Sequence, residues 1–236
     1  MTFVGGTLTP ARVLAITSTD GQAYKRTTVG AWRKNGRSTL SVIEKDISFI
    51  LEVDKLKNIV RKSRNISNDR YENDAEHSWH ACMMAIALQD YANSLVDMGR
   101  VLKMLIVHDI GEIGSGDIIV YNKNKADVLN EQESADRLFS MLDLPRHEEL
   151  NGLLEEFEAR ETDESKYANA IDRAEPVLQN IHRNGETWRE NGIGYERIVE
   201  MNQKKIGEGS VELWRYLIKQ IDQLKEKGAF LNTGGI

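Results

Sequence analysis

The chain reads GRVLKMLIVHDIGEIGSGD from Gly99 to Asp117. This stretch predicts a helix over residues 99–113, because its apolar residues recur at helical spacing and glycines follow it. The residues of its expected buried face are Val101, Leu102, Leu105 and Ile106. The helix is unusual because its apolar run ends in ionisable residues, which buried faces seldom carry.

The ionisable residues at this helix end are His108, Asp109 and Glu112. Residues three and four apart share one side of a helix, so all three side chains can point the same way. They are either surface residues at a helix end or part of a metal site. Asp172 favours the metal site, because it lies in an apolar helical segment where a buried carboxylate needs a cation or an arginine as its partner.

His77, in the first turn of another expected helix, supplies a second imidazole. With His108, Asp109 and Asp172 it gives two neutral imidazoles and two carboxylates, whose negative charges one divalent cation would cancel. Such mixed ligands suit Mn, Co, Fe, Ni or Zn better than Mg or Ca, and the identity of the ion stays open with Mg included. His80 is a rival ligand, although a histidine at that position more often lies on the surface or forms a hydrogen bond.

Helical patterns also cover most of the remaining chain and predict an all-α fold, a helical bundle with a short non-helical N-terminal extension. We expect the further helices over residues 43–63, 74–95, 131–141, 151–161, 164–183 and 211–227, with loops over 65–73 and 185–194. Residues 1–43 carry six basic residues and one acidic residue, a net charge of +5, so the total of −6 leaves −11 for residues 44–236. We interpret residues 1–43 as a basic, flexible extension or small hairpin rather than a nucleic-acid-binding arm.

Composition narrows the functional classes. The net charge of −6 argues against a broad surface for a nucleic acid polymer. No apolar run approaches the roughly 18 residues that a membrane span needs. Cys82 is the only cysteine, which excludes an internal disulfide, and the N-terminus lacks a continuous apolar leader. The sequence therefore predicts a cytoplasmic protein with no membrane partner.

An ordered set of short motifs carries a family resemblance. Glu76-His77-Ser78, His108-Asp109 with Glu112, Gly116-Asp117 and Asp172 together resemble the HD-domain metal-dependent phosphohydrolases. The set is most similar to the YfbR-like 5′-deoxynucleotidases and their relative in oxetanocin biosynthesis. The resemblance runs from about Ile43 to Phe230, and it implies an HD phosphohydrolase domain over residues 44–236 that forms a homodimer. It also implies that His77, His108, Asp109 and Asp172 hold one divalent ion.

The same resemblance implies roles for residues near the ion. Glu112 and Asp117 would flank the attacking water, and Arg61 would face the substrate phosphate. Arg61 can otherwise be interpreted as a solvated arginine at a helix end. YfbR-like sequences have a tryptophan after this arginine, whereas this chain has Lys62, which puts the base and sugar preference in doubt and would favour more phosphate charge.

We therefore expect a metal-dependent hydrolase that removes phosphate from nucleotides, above all from deoxyribonucleoside 5′-monophosphates. The alternatives are a (deoxy)nucleoside triphosphate hydrolase and a non-catalytic nucleotide-binding module. Two further features stay open. Trp188 with Arg183 and Arg189 forms either a lid over the site or, as we prefer, a packed loop. Arg173, beside Asp172, either pairs with an acidic neighbour or faces the substrate.

Overall fold

The computed structural model describes residues 39–118, 121 and 124–230. The expected N-terminal extension lies outside this range except for residues 39–43, which belong to the first helix. No helix of the described segments has the length and apolarity that crossing a bilayer requires.

Helices make up most of the described chain, and the predicted all-α fold is confirmed. In chain order they are α1 (Thr39–Val53), α2 (Asp74–Ala87), α3 (Met98–Val107), α4 (Glu112–Ser115), α5 (Lys125–Phe139), α6 (Leu144–Ala159), α7 (Asp163–His182), α8 (Glu186–Glu190), α9 (Tyr195–Gly209) and α10 (Val211–Glu226). Short 3₁₀ helices cover Asp54–Asn58 and Gln89–Tyr91. Strands β1 (Val60–Arg64) and β2 (Tyr71–Asn73) pair antiparallel as a hairpin.

Helix α7 lies at the centre of the bundle, packed against α2, α3, α6, α9 and α10. Its buried residues include Tyr167, Ile171 and Val177, with alanines between them that let neighbouring helices approach closely. The Tyr167 hydroxyl donates to the backbone carbonyl of Ala85 on α2 at 3.0 Å. A helix enclosed in this way holds its polar side chains, Asp172 among them, in fixed positions.

Helix α9 is an element that the sequence did not lead us to expect. It buries Ile198, Asn202 and Ile206, which are spaced four residues apart and form one narrow face against α7. Its last residue, Gly209, lies so close to α7 that an added Cβ would be 2.2 Å from the Lys166 carbonyl oxygen. The predicted loop over 185–194 likewise contains the short helix α8.

The prediction that the first helix continues to about residue 63 is wrong. Helix α1 ends at Val53, and residues 60–64 form β1. The burial of β1 alternates, with Ser63 buried, Arg61 partly buried and Lys62 exposed, as expected of a strand with one inward face. The apolar spacing that favoured a helix is local, whereas the strand depends on pairing with β2, which lies in the predicted loop over 65–73.

Helix α2 begins at Asp74, the first residue of the helix predicted over 74–95, and the residue before it forms the cap. Asn73 caps the helix: its side-chain oxygen accepts the Glu76 backbone N–H at 3.0 Å, and the Glu76 carboxylate accepts the Asn73 N–H at 3.2 Å. Asp74 is therefore not the cap. It is fully buried, and its carboxylate is available to other partners.

The helix predicted over 99–113 is interrupted. Helix α3 ends at Val107, His108 caps it, and α4 begins only at Glu112. Between them the Ile110 N–H bonds to the Val107 carbonyl three residues back, at 3.2 Å, so the chain turns more tightly than an α-helix. A Cβ at Gly111 would lie 2.3 Å from the Glu131 carbonyl oxygen of α5, so the glycine permits this close approach.

Candidate active site

The four residues predicted as metal ligands meet at one point between α2, α3 and α7. His77 Nε2 lies 3.1 Å from Asp172 Oδ1 and 3.8 Å from Asp109 Oδ2. His108 Nε2 lies 3.4 Å from the same Asp172 oxygen and 3.0 Å from the same Asp109 oxygen. Ligands about 2.0–2.2 Å from a shared ion are separated by distances of this size, so the donor atoms can surround one cation.

Hydrogen bonds on the far side of each imidazole orient its Nε2 towards that point. His108 Nδ1 donates to the Leu105 carbonyl at 2.9 Å, and His77 Nδ1 donates to Glu175 Oε2 at 3.1 Å. Both rings can then present the lone pair of Nε2, as metal-binding histidines usually do. His108 Nε2 is buried and makes no hydrogen bond, although Asp109 is close. A buried nitrogen without a partner fits a metal ligand.

The electrostatics of the group also favour a cation. Burial would lower the pKa of His77, but the hydrogen bonds with Asp172 and Glu175 outweigh burial and raise it to about 9. Burial would raise the pKa of Asp172, yet the imidazoles of His108 and His77 close to it hold it well below the usual range. Carboxylates that stabilise a proton on an imidazole offer a favourable place for a divalent ion, which would displace that proton on binding.

The predicted catalytic residues Glu112 and Asp117 form a second group with Asp74. One oxygen of each carboxylate lies within 4.8 Å of the others, so this group too could hold a cation. Each residue also has a buried oxygen without a hydrogen-bond partner. Burial, followed by the negative charges of Asp109 and Asp74, raises the pKa of Glu112 to about 11, and burial raises that of Asp117.

Arg61 connects the hairpin to both carboxylate groups. Its Nη1 atom donates to Asp109 Oδ2 at 2.8 Å and to Asp74 Oδ1 at 3.0 Å. The sequence left open whether Arg61 is a solvated helix-end residue, but it lies on β1 with only 14% of its side chain exposed. Lys62 is exposed, and its backbone N–H bonds to Asp117.

A cavity of about 120 Å³ adjoins these residues. The predicted residues that line it are Arg61, Lys62, Asp109, Glu112, Asp117 and Asp172. Its other lining residues include Tyr121, Arg173, Trp188 and Asn202, which come from the chain after α4 and from α7, α8 and α9. The cavity therefore combines a candidate metal centre, a guanidinium group and two protonatable carboxylates in one space.

Sequence reasoning missed the residues that support His77. Glu175 is completely buried and accepts from His77 Nδ1, from His80 Nδ1 at 2.7 Å and from Gln179 Nε2 at 2.5 Å. Gln179 also donates to Glu72 Oε1 at 2.9 Å, which links α7 to the hairpin. His80 thus faces Glu175 rather than the metal point. The available signal was the spacing of three residues between Asp172 and Glu175, which places both on one side of α7.

Trp188 is packed, as in the interpretation that we preferred, but it lies on the short helix α8 rather than in a loop. Trp188 is 2% exposed, and its ring lies 5.8 Å from that of Phe230, so it is a packed residue that also lines the cavity. Arg183 bonds the backbone carbonyls of Asn65 and Asn68 in the hairpin turn at 3.1 and 2.9 Å. Arg189 bonds the Ala229 carbonyl at 3.1 Å. Arg183 thus joins the end of α7 to the hairpin turn, and Arg189 joins α8 to the segment after α10.

Comparison with known proteins gives a family match and similar relatives. The sequence model of a family described as HD domain matches residues 53–214. A 5′-deoxynucleotidase HDDC2 from Danio rerio is 30% identical over 138 residues, which are 56% of this chain and 66% of that protein. The Homo sapiens protein of the same name is 26% identical over 56% of this chain and 65% of its own length. The chain thus matches just under two thirds of the length of these relatives.

A solved structure adds a comparison of the folds. The crystal structure of a predicted metal-dependent phosphohydrolase from Magnetospirillum magnetotacticum MS-1 superposes with a TM-score of 0.76 and 37% sequence identity. The similarity covers 80% of this chain and 98% of that one.

Glu175 generates a prediction about the candidate metal centre. We expect Glu175→Ala to weaken metal binding by about 10- to 100-fold, because His77 loses the carboxylate that orients its ring. Glu175→Gln keeps a hydrogen-bond acceptor and should weaken binding less. Metal affinity measured by competition with a chelator, together with thermal unfolding of the metal-free variants, checks this expectation.

The matched control is Asp163→Ala, an exposed carboxylate on the same helix, which should leave metal affinity unchanged. If Glu175→Ala lowers the unfolding temperature while metal affinity stays at the wild-type value, Glu175 contributes only to stability.

Proposed function

Because the chain belongs to the HD-domain family, we propose that it is a metal-dependent phosphohydrolase that removes phosphate from nucleotides, above all from deoxyribonucleoside 5′-monophosphates. The observation that carries the proposal is the convergence of His77, His108, Asp109 and Asp172 beside a cavity that Arg61 also lines. Similarity to the Danio rerio 5′-deoxynucleotidase supports the substrate class, and similarity to the Magnetospirillum metal-dependent phosphohydrolase supports the reaction.

The donor set fits a divalent ion held by His77, His108, Asp109 and Asp172. When bound, the ion would neutralise part of the phosphate charge and lower the pKa of a coordinated water. Two nitrogen donors and two carboxylates suit Mn, Co, Fe, Ni or Zn. Mg, which prefers oxygen ligands, is the alternative. Thiolate ligands are absent from the set, which makes a structural zinc site a poorer fit.

The chain's own residues supply orientation and proton transfer. Arg61 lines the cavity and supplies a guanidinium whose positive charge favours the phosphate. Glu112 orients the attacking water and, in its ionised form, takes the proton of that water. Asp117, whose pKa is raised, donates a proton to the leaving 5′ oxygen. The products are a nucleoside and inorganic phosphate.

A nucleoside triphosphate hydrolase is the second candidate, and Lys62 is the residue that favours it. Its side chain lines the same cavity as Arg61 and adds positive charge for further phosphates. The two reactions release different products, because a monophosphatase yields inorganic phosphate from dAMP, whereas hydrolysis of dATP next to the sugar yields tripolyphosphate.

The test is a product assay on the purified full chain with Mn²⁺ or Co²⁺, supplied with dAMP or dATP. We expect phosphate from dAMP, and no activity after chelation. Glu112→Ala should retain the metal and lose about 10²- to 10⁴-fold in turnover, the usual contribution of a general base. Asp172→Ala should lose the metal itself, as measured by elemental analysis.

Glu133→Ala, an exposed glutamate on α5, is the matched control and should behave as the wild type. Tripolyphosphate from dATP without phosphate from dAMP would favour the second candidate. No hydrolysis across a nucleotide panel, with the metal still bound, would favour a non-catalytic nucleotide-binding module. Near-normal turnover of Glu112→Ala would contradict the role given to Glu112.

We propose further that the protein acts in the cytoplasm on small substrates, not on nucleic acid polymers, and forms a homodimer. A single cysteine and a net charge of −6 support the first two points. Trp79, Met83 and Ile86 support the third, because they form an apolar stripe on one face of α2 and remain 67%, 45% and 45% exposed. Large exposed apolar stripes commonly mark protein–protein interfaces.

The dimer predicts that Trp79→Glu combined with Met83→Lys yields a monomer, because charges would be buried at the interface. Sedimentation equilibrium at micromolar concentration measures the mass. Tyr216→Glu, an exposed aromatic residue on α10, is the control that should remain dimeric. A wild-type monomer at these concentrations would refute the dimer.

A further inference from the structure

Arg173 is a cavity residue to which the proposed reaction gives no role. It follows Asp172 on α7 and lines the same cavity as the candidate metal centre. Its Nε atom is buried and makes no hydrogen bond. Within the described part of the chain, no ion pair joins Arg173 to a carboxylate. The residue is only partly buried, so its guanidinium is open to a ligand in the cavity, and an anion there could form hydrogen bonds with it.

The surroundings of Arg173 differ from those of Arg61. Arg61 bonds to Asp109 and Asp74, and the negative charges of Glu112 and Asp117 also act on it. Arg173 instead acts on Tyr121, where it opposes the rise in pKa that burial causes. It also acts on Lys205 of α9, where burial and Arg173 together lower the lysine's pKa to about 8. The two cavity arginines therefore differ in their partners. Arg61 is bonded to carboxylates, whereas the carboxylate next to Arg173, that of Asp172, lies against His77 and His108.

The neutral polar groups on this side of the cavity are already engaged. The Asn202 amide donates to the Ile198 carbonyl at 2.7 Å and to the Tyr121 hydroxyl at 3.3 Å. Asn180 donates to the Pro176 carbonyl at 3.0 Å and accepts the Trp188 backbone N–H at 3.2 Å. Neither amide carries negative charge. A ligand that compensates Arg173 must bring that charge itself, which disfavours the edge of a neutral nucleobase.

We propose that Arg173 binds a second phosphate group, so that a nucleotide with two phosphates binds more tightly than the monophosphate of the same base. The inference rests on the proposed function, in which the reacting phosphate lies beside Arg61 and the metal ligands. The shared chemistry is a phosphate dianion that accepts hydrogen bonds from a guanidinium. Two sources supply it: the β-phosphate of a 5′-diphosphate and the phosphate of a 3′,5′-bisphosphate.

The experiment compares dAMP, dADP and 2′-deoxyadenosine 3′,5′-bisphosphate on the metal-loaded full chain. The ratio kcat/KM is measured for the wild type. The Kd of each ligand is measured by calorimetry in a Glu112→Gln background, where turnover is suppressed. We expect one of the two doubly phosphorylated ligands to bind more tightly than dAMP. Arg173→Gln should abolish that advantage, a loss of roughly 10- to 100-fold for this ligand alone, which is the range for hydrogen bonds to charged groups. The ligand that responds identifies the source of the phosphate.

Arg173→Lys keeps the charge without the planar fork and should retain part of the advantage. Arg197→Gln is the matched control, because Arg197 also acts electrostatically on Tyr121 but is ion-paired with Glu200 and exposed. An equal loss for dAMP and both other ligands would overturn the proposal and assign Arg173 to the reacting phosphate. With dGMP included as a fourth ligand, a loss for dGMP but not for dAMP would overturn the proposal in favour of base recognition. Selective binding without hydrolysis of any nucleotide would support the role of Arg173 while the proposed function fails.

Discussion

Two carboxylates and two imidazoles lie together in one small buried volume. The contacts around them compensate their charges and orient their rings. Asp109 and Asp172 need compensating positive charge because burial penalises their ionised forms. His77 and His108 need hydrogen-bond acceptors on their far sides if Nε2 is to face the shared point. Glu175 and the Leu105 carbonyl provide those acceptors, and the enclosed position of α7 holds Asp172 and Glu175 in register.

Most of the candidate ligand set could be predicted from the sequence because its signal is local. Ionisable residues at the end of an apolar run, as at His108 and Asp109, and an aspartate within an apolar helix, as at Asp172, stand out without knowledge of the fold. Glu175 carries no such signal, because a glutamate inside a helix is ordinarily solvated. Only the packing of α2 on α7 buries it, and that contact joins residues 98 positions apart in the chain.

The all-α class of the fold was predictable, but the hairpin and helix α9 were not. The hairpin that carries Arg61 escaped detection because Leu56, Ile59 and Val60 match helical spacing, while strand formation depends on pairing with β2. Helix α9 escaped because its buried face contains Asn202 between two isoleucines, so its apolar signal is weak. Its position depends on the close approach of Gly209 to α7, a tertiary contact that no local pattern encodes.

The hairpin differs from the other walls of the cavity in what joins it to the helices. Arg61 reaches Asp109, Arg64 lies 3.2 Å from Glu190, and Arg183 lies 2.8 Å from Asp69, a side chain that is 94% exposed. Ions in solution weaken contacts between exposed charges, whereas apolar packing between helices is far less affected. Electrolyte therefore weakens the outer contacts of the hairpin, which involve Glu190 and Asp69, far more than the buried Arg61–Asp109 pair or the helical bundle.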